Sequence, residues 1–418
     1  MILKIKNLIF FALIILYVGS VNAEAPIVVS ESNLKNEAST RFLVKFKQGK
    51  RSVVMQKVHK DIRFEGEEKL GILDDWSVLK VNKNKKNEFL NDLKKENDVL
   101  IVEEDAIASV LLSPNDPAYT LNQWGLENTG QNINGMVGKV DSDVDASSSW
   151  DKTSGEGVKV AVLDTGIDKD HPDLAGVVVI NKNFSTSTTD DDMYGHGTHV
   201  AGIIAAKYGN ALGVAGACKG CSLINVKVLG DDGSGYYSAI INGIYFAVEN
   251  GAKVINMSLG GSASSASLEQ AVNFAWSKGV VIVAASGNSG SSSKFYPAAY
   301  KNVIAVASTN NKDQKSSFSN FSNNWVMVAA PGEAIFSTLP NHENVLKSKY
   351  GLPSEYGWLS GTSMASPLVA AEAALVTKKY GVLGASMVRF KIERNTDLIS
   401  GSGRFWKYGR VNFEKATR

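Results

Sequence analysis

Cysteine is nearly absent: Cys218 and Cys221 are the only two in 418 residues, so at most one intrachain bridge can form. A structural zinc site needs about four ligands, and the pair finds no further cysteine to complete one. Neither sign of charge dominates. With 44 basic and 42 acidic side chains the net charge is +2, which offers nothing for a nucleic-acid or membrane-surface partner. Long apolar runs are missing too. Beyond the first residues no stretch is long and apolar enough to anchor the chain in a bilayer, so a soluble product is expected.

What is present begins with a basic Met1–Asn7, an apolar run Leu8–Val18 and small residues at Val21–Ala23. This is the pattern of a cleaved secretory signal over residues 1–23. An oxidising destination favours a local disulfide between Cys218 and Cys221, with free thiols as the alternative. At 418 residues and 44% apolar content, two folded units with a sizeable core are expected. Charge density places the boundary: 32 of the 89 residues from Glu24 to Leu112 are charged, against 52 of the 306 that follow. In the charged segment, Arg41–Gln48 and Trp76–Val81 alternate like strands. Asn87–Glu96 has helical spacing, and Val99–Val102 reads as another strand.

After residue 112, strand-like runs recur at Val158–Leu163, Ser222–Leu229, Ala252–Leu259, Val280–Ala285, Val303–Val306 and Val326–Ala329. Ser238–Asn250 and Ser267–Lys278 carry apolar residues at helical spacing. Alternation of this kind predicts an α/β fold, a mostly parallel sheet covered on both faces. The first run delivers Asp164 at its end, and Thr165-Gly166 turns the chain. Gly195-His-Gly-Thr-His-Val-Ala-Gly202 then opens a helix with His196, and Gly361-Thr-Ser-Met-Ala-Ser-Pro367 presents Ser363 at the start of another. A serine hydroxyl needs a base to become a nucleophile, and the base needs an orienting acid. The chain order aspartate, histidine, serine differs from that of chymotrypsin-like and α/β-hydrolase chains.

These three stretches, with Val226–Gly230, Asp232–Gly235, Ile255–Gly260 and Ala284–Asn288 in the same order, resemble the subtilisin-like serine protease family over residues 113–418. The resemblance implies a three-layer α/β peptidase domain. It also implies that residues 24–112 are a small α+β, ferredoxin-like propeptide that inhibits the enzyme until self-cleavage near Leu111 or Leu112. Its tail, Ile107–Leu112, would lie in the cleft as an added strand, and Ser113–Pro117 resembles the start of mature thermitase-like members. Such an enzyme is a secreted, self-processed endopeptidase acting on proteins or peptides, and a monomer.

By the same resemblance Asp164 orients His196, His196 is general base and then acid, Ser363 is nucleophile, and Asn288 with the Ser363 N–H stabilises the oxyanion. Thr362 adds a weaker contact or serves as a cap. Gly233, Ser234 and Gly235 face Ser258, Leu259 and Gly260 as two edges between which an extended peptide pairs. Phe295 stands at the base of the pocket for the residue before the cut, where a phenyl group either makes that pocket shallow or turns into the core. Calcium is implied at Asp116, Asp173 and Asn210, with the carbonyls of Lys207, Leu212 and Val214. The triplet Asp190–Asp192 reads as a solvated acidic turn or as a second ion site. His199 is expected to pack or to hydrogen-bond behind the site. The loop Asn341–Trp358, longer than in short relatives, gates the cleft or decorates it.

Overall fold

Phe42, Val44 and Phe46, every second residue of strand β1 (Arg41–Phe46), are buried against helix α1 (Arg51–Val58) and helix α2 (Lys86–Leu93). The remaining strands of this unit are β2 (Phe64–Lys69), β3 (Trp76–Val81) and β4 (Val99–Glu104). They form one antiparallel sheet in the order β2-β3-β1-β4, a βαββαβ unit. Helix α1 and strand β2 were not legible in the sequence, because Phe64–Lys69 has no apolar alternation. Ion pairs hold its charges instead: Glu67 with Arg51, and Glu68 with Arg41 at 2.9 Å and Lys80 at 3.1 Å.

The computed structural model describes residues 40–71, 73–105, 114–381 and 384–418. The expected signal over residues 1–23, the tail Ile107–Leu112 and the expected cleavage region up to Ser113 lie outside the described residues. The chain divides into two compact units, residues 1–110 and 111–418.

The larger unit is built on seven parallel strands: β5 (Lys159–Asp164), β6 (Val178–Asn183), β7 (Ser222–Lys227), β8 (Val254–Met257), β9 (Val281–Ala285), β10 (Ile304–Thr309) and β11 (Val328–Pro331). Their order is β11-β10-β9-β8-β5-β7-β6. Successive strand residues point to opposite faces, so each strand feeds two cores. Val160, Val162, Val281, Val283, Ile304 and Val306 pack on one side with helix α3 (His196–Ala205) and the long helix α7 (Thr362–Tyr380). Ala161, Leu163, Ile255, Met257, Ile282 and Ala284 pack on the other with α4 (Tyr237–Glu249) and α5 (Ala266–Ser277). All six expected runs overlap a strand. Only the edge strand β6 was missed, because its half-polar VVINKN faces little core.

The segment after β11 is a hairpin, β12 (Ile335–Thr338) with β13 (Tyr356–Leu359), carrying helix α6 (Val345–Tyr350) between its strands. Backbone bonds from Val345 to the Met193 carbonyl and from Leu346 to the Tyr194 carbonyl, both 3.0 Å, fasten α6 to the residues preceding His196.

Candidate active site

Asp164 ends β5, Ser258 follows β8 and Asn288 follows β9, so the carboxyl edge of the sheet gathers these side chains. Open parallel sheets concentrate their binding sites at this edge. Two glycines permit the close approach of α3. A Cβ on Gly197 would lie 2.1 Å from the Gly166 carbonyl oxygen, and Gly166 itself has φ +106° with no room beside Asp191.

His196 Nδ1 lies 2.7 Å from Asp164 Oδ1, which also accepts the Thr165 N–H at 2.8 Å. Asp164 is 1% exposed and His196 20%. Burial opposes a charge on His196, but the neighbouring Asp164 charge and hydrogen bond outweigh it and raise the imidazole pKa above its ordinary value. Asp192 is fully buried, so it departs from the reading of Asp190–Asp192 as a solvated acidic turn, while Asp190 and Asp191 are part-exposed. It accepts the N–H groups of Gly195 and Thr198 at 2.8 Å and the hydroxyls of Thr165 at 2.8 Å and Thr198 at 2.7 Å. It thereby caps the helix that carries His196. Burial raises the Asp192 pKa against these bonds.

Ser363 is the second residue of α7. Its hydroxyl donates to the Ser258 carbonyl at 3.2 Å rather than to the imidazole expected to act as its base. In turn the Ser258 hydroxyl donates to the Ser363 carbonyl at 2.8 Å. That carbonyl is the helical partner of residue 367, which is proline and has no N–H, so the Ser258 hydroxyl supplies the missing donor. Asn256 supports the arrangement, donating to Ser258 Oγ at 3.0 Å and accepting from Ser366 at 2.7 Å. Asn288 is aligned by Thr362, whose N–H and hydroxyl both donate to its amide oxygen at 2.8 and 2.9 Å. The amide N–H₂ group is thus turned away from Thr362. Neither the Asn256 network nor the Asp192 cap was read from the sequence, because each joins residues far apart along the chain.

One cleft is lined by His196, by Gly233, Ser234 and Gly235 on one side, and by Ser258, Leu259 and Gly260 on the other. Phe295 is not among its lining residues. Its ring stands behind Gly260 and Gly287, where added Cβ atoms would meet it at 2.5 and 3.2 Å. His199 lies behind the site with Nε2 at 3.2 Å from the Ile335 and Gly357 carbonyls. Burial lowers its pKa to about 3, so it is neutral and ties α3 to the hairpin.

Asp116 and Asp173 are buried and close enough to repel, and burial together with the Asp173 charge raises the Asp116 pKa. The loop after α3 closes over them. Gly209 and Asn210 donate backbone N–H groups to Asp116 at 2.8 and 3.1 Å, and Val214 donates to Asp173 at 3.0 Å. Lys207 donates its N–H to the Asp173 carbonyl at 2.9 Å, and Leu212 donates to the Asn210 side-chain oxygen at 2.9 Å. Two neighbouring buried carboxylates fit an oxygen-seeking dication, while the loop contacts to them in this structure are all N–H donors. Asn210 Nδ2 donates to Asp173 at 2.8 Å, so its amide would have to turn to offer oxygen. Cys218 and Cys221 are joined by a disulfide. They pack under Gly155, where an added Cβ would lie 2.1 Å from the Cys218 sulfur.

Chemically the arrangement suits nucleophilic acyl transfer: a hydroxyl at a helix start, an imidazole set by a buried carboxylate, and an oriented amide donor. Fold and site together define a serine-type hydrolase. The Subtilase family profile matches residues 155–411. Thermitase of Thermoactinomyces vulgaris is 44% identical over 307 residues, 73% of this chain and 99% of its own. A thermophilic serine proteinase of Bacillus sp. (strain AK1) is 37% identical over 398 residues, 93% and 91% of the two chains. The solved structure of a protease from Pseudoalteromonas arctica PAMC 21717 is also similar, at TM-score 0.63 and 29% identity, covering 73% of this chain and 99% of that one. The chain belongs to the Subtilase family and is a serine-type endopeptidase. Subtilases commonly bind structural calcium.

Proposed function

We propose that Ser363 is the nucleophile of a secreted endopeptidase, with His196 as proton carrier, Asp164 as its orienting carboxylate and Asn288 as oxyanion donor. The observation that carries the reading is the 2.7 Å contact of His196 Nδ1 with buried Asp164, at the same sheet edge as Ser363 and Asn288. An extended peptide pairs with the 233–235 and 258–260 edges and engages the Ser258 carbonyl, releasing the Ser363 hydroxyl to His196. Ser363 Oγ then bonds to the scissile carbonyl carbon while its proton passes to His196 Nε2. The oxyanion is met by the Asn288 amide, the Ser363 N–H and the positive end of α7. His196 returns the proton to the leaving amine, and water hydrolyses the acyl-enzyme by the same steps.

Residues 1–23 act as a signal, 24–112 as an inhibitory propeptide removed near Leu111 or Leu112, and 113–418 as the mature, monomeric enzyme. The βαββαβ architecture of the smaller unit supports the propeptide reading. Among the described residues no helix is long and apolar enough to cross a membrane. Because the Phe295 ring packs against the core behind Gly260 and Gly287, outside the cleft lining, it lends no support to a preference for small residues before the cut. Asp116, Asp173 and Asn210 with the loop 207–214 hold a structural calcium, which neutralises the two carboxylates and stiffens the loop. Casein hydrolysis by purified protein, abolished by Ser363→Ala and by a serine-directed inhibitor, is the expected result. Hydrolysis that survives Ser363→Ala refutes the mechanism.

A further inference from the structure

Three side chains outside the reacting groups converge beside the start of α3. Asp168 lies four residues beyond Asp164, Asp191 five before His196, and His342 at the beginning of the α6 segment. One ligand atom from each lies within 4.8 Å of the other two. Asp168 is 2% exposed, and its carboxylate is positioned by the N–H groups of Asp170 at 3.1 Å and Asn341 at 3.0 Å.

The imidazole supplies the deciding detail. His342 Nδ1 sits 3.0 Å from the Glu343 carbonyl, and a carbonyl only accepts, so Nδ1 carries a hydrogen. In the neutral ring the lone pair is therefore on Nε2. That atom is buried and its near polar contact is Asp191 Oδ2 at 3.4 Å, a pairing that a bound ion would replace. A ring nitrogen whose opposite N–H is held by a backbone carbonyl is the usual second-shell arrangement of a metal-binding histidine.

We propose that Asp168, Asp191 and His342 form a site for a divalent transition metal, zinc being the best match. One nitrogen and two carboxylates suit a borderline ion, whereas calcium asks for six to eight oxygens. Metal–ligand distances of about 2.0–2.2 Å place tetrahedral ligands roughly 3.4 Å apart, the separation His342 and Asp191 already have, so Asp168 need close by at most about 1.4 Å. Asp191 and His342 are 33% and 29% exposed, so the cluster lies near the surface, where a water can serve as fourth ligand. The bound ion would tie the turn after β5, the residues before His196 and the α6 segment to one point. The site is separate from the Asp116–Asp173 pair and does not rest on the peptidase reading.

The test uses the full chain with Ser363→Ala, to prevent self-digestion, stripped with chelator and then saturated with calcium. Zinc alone and cobalt alone are titrated in. The expected results are one equivalent of zinc retained, a visible cobalt absorption of low-coordinate type, and a raised thermal midpoint. His342→Gln and Asp191→Asn should each weaken binding by at least about 100-fold with an unchanged far-ultraviolet spectrum, more than the loss of an outer-shell group alone. Zinc that does not bind, or binds equally to both variants, overturns the proposal. So does a His342→Gln variant less stable than its parent while zinc affects neither, which marks a histidine–aspartate ion pair alone.

Discussion

Ser258 and Ser363 exchange hydrogen bonds in both directions, hydroxyl to carbonyl, at 2.8 and 3.2 Å. The first of these replaces the helical bond that Pro367 cannot make. Ser258→Ala should leave the Ser363 carbonyl buried without a donor and cost about 1–3 kcal/mol. Pro367→Ala restores an N–H at that position, so the cost of Ser258→Ala should shrink by about 1 kcal/mol in its presence. Unfolding of the four chains in a Ser363→Ala background measures the coupling, and additive losses would contradict it.

Thr362 should act through Asn288. Removal of the Asn288 amide should lower kcat by about 100- to 1000-fold, the scale known for such a donor in subtilisin and taken over here. Thr362→Val should lower kcat by roughly 10-fold with little change in KM, since one of two bonds orienting the amide remains. Thr362→Ser should restore it. In an Asn288→Ala background Thr362→Val should add nothing.

The pH profile follows from His196. As the proposed base it must be neutral to accept the Ser363 proton, so kcat/KM should rise with pH through a value above the ordinary histidine pKa of 6.5. Asp164→Asn should move this limb to lower pH and reduce kcat about 10⁴-fold, as in other serine proteases that lose this carboxylate. Folding stability runs the other way. The pair's contribution is complete below the unfolded pKa of about 6.5 and is lost as pH rises through the raised folded value.

Glu372 is buried within α7, and burial raises its carboxyl well above the usual range. The folded protein therefore holds this proton when the unfolded chain has released it. From about pH 4.3 upward this group should lower stability by about 1.4 kcal/mol per pH unit until it ionises in the folded state. Glu372→Gln should flatten the slope of unfolding free energy against pH. An unchanged slope would show that Glu372 is already ionised in the fold.

Calcium should raise the thermal midpoint of the mature enzyme and chelator should lower it; ion at 100 times its Kd is worth about 2.7 kcal/mol. Asp173→Asn should abolish the difference while leaving the starting midpoint near that of the chelated parent. A midpoint indifferent to both calcium and chelator would remove the ion from Asp116 and Asp173.

Periodicity made the parallel sheet legible, because its strands are buried on both faces and read as continuous apolar runs, as in Val281–Ala285. The edge strand Val178–Asn183 and the charged strand Phe64–Lys69 escaped, since backbone pairing and ion pairs rather than apolar burial hold them. Asp164, His196, Ser363 and Asn288 were each marked by a local motif that the proposed chemistry requires.

The sequence by itself determined the α/β class, the chain order of these side chains and the boundary in charge near residue 112, all properties of local pattern. Only the tertiary structure decided which partner each polar group takes. It turned Asp192 inward as a helix cap, set Ser258 against the carbonyl that Pro367 orphans, and brought His342 to Asp168 and Asp191. The reason is physical: a buried polar group must find a donor or acceptor, and which one is nearest depends on how distant segments pack.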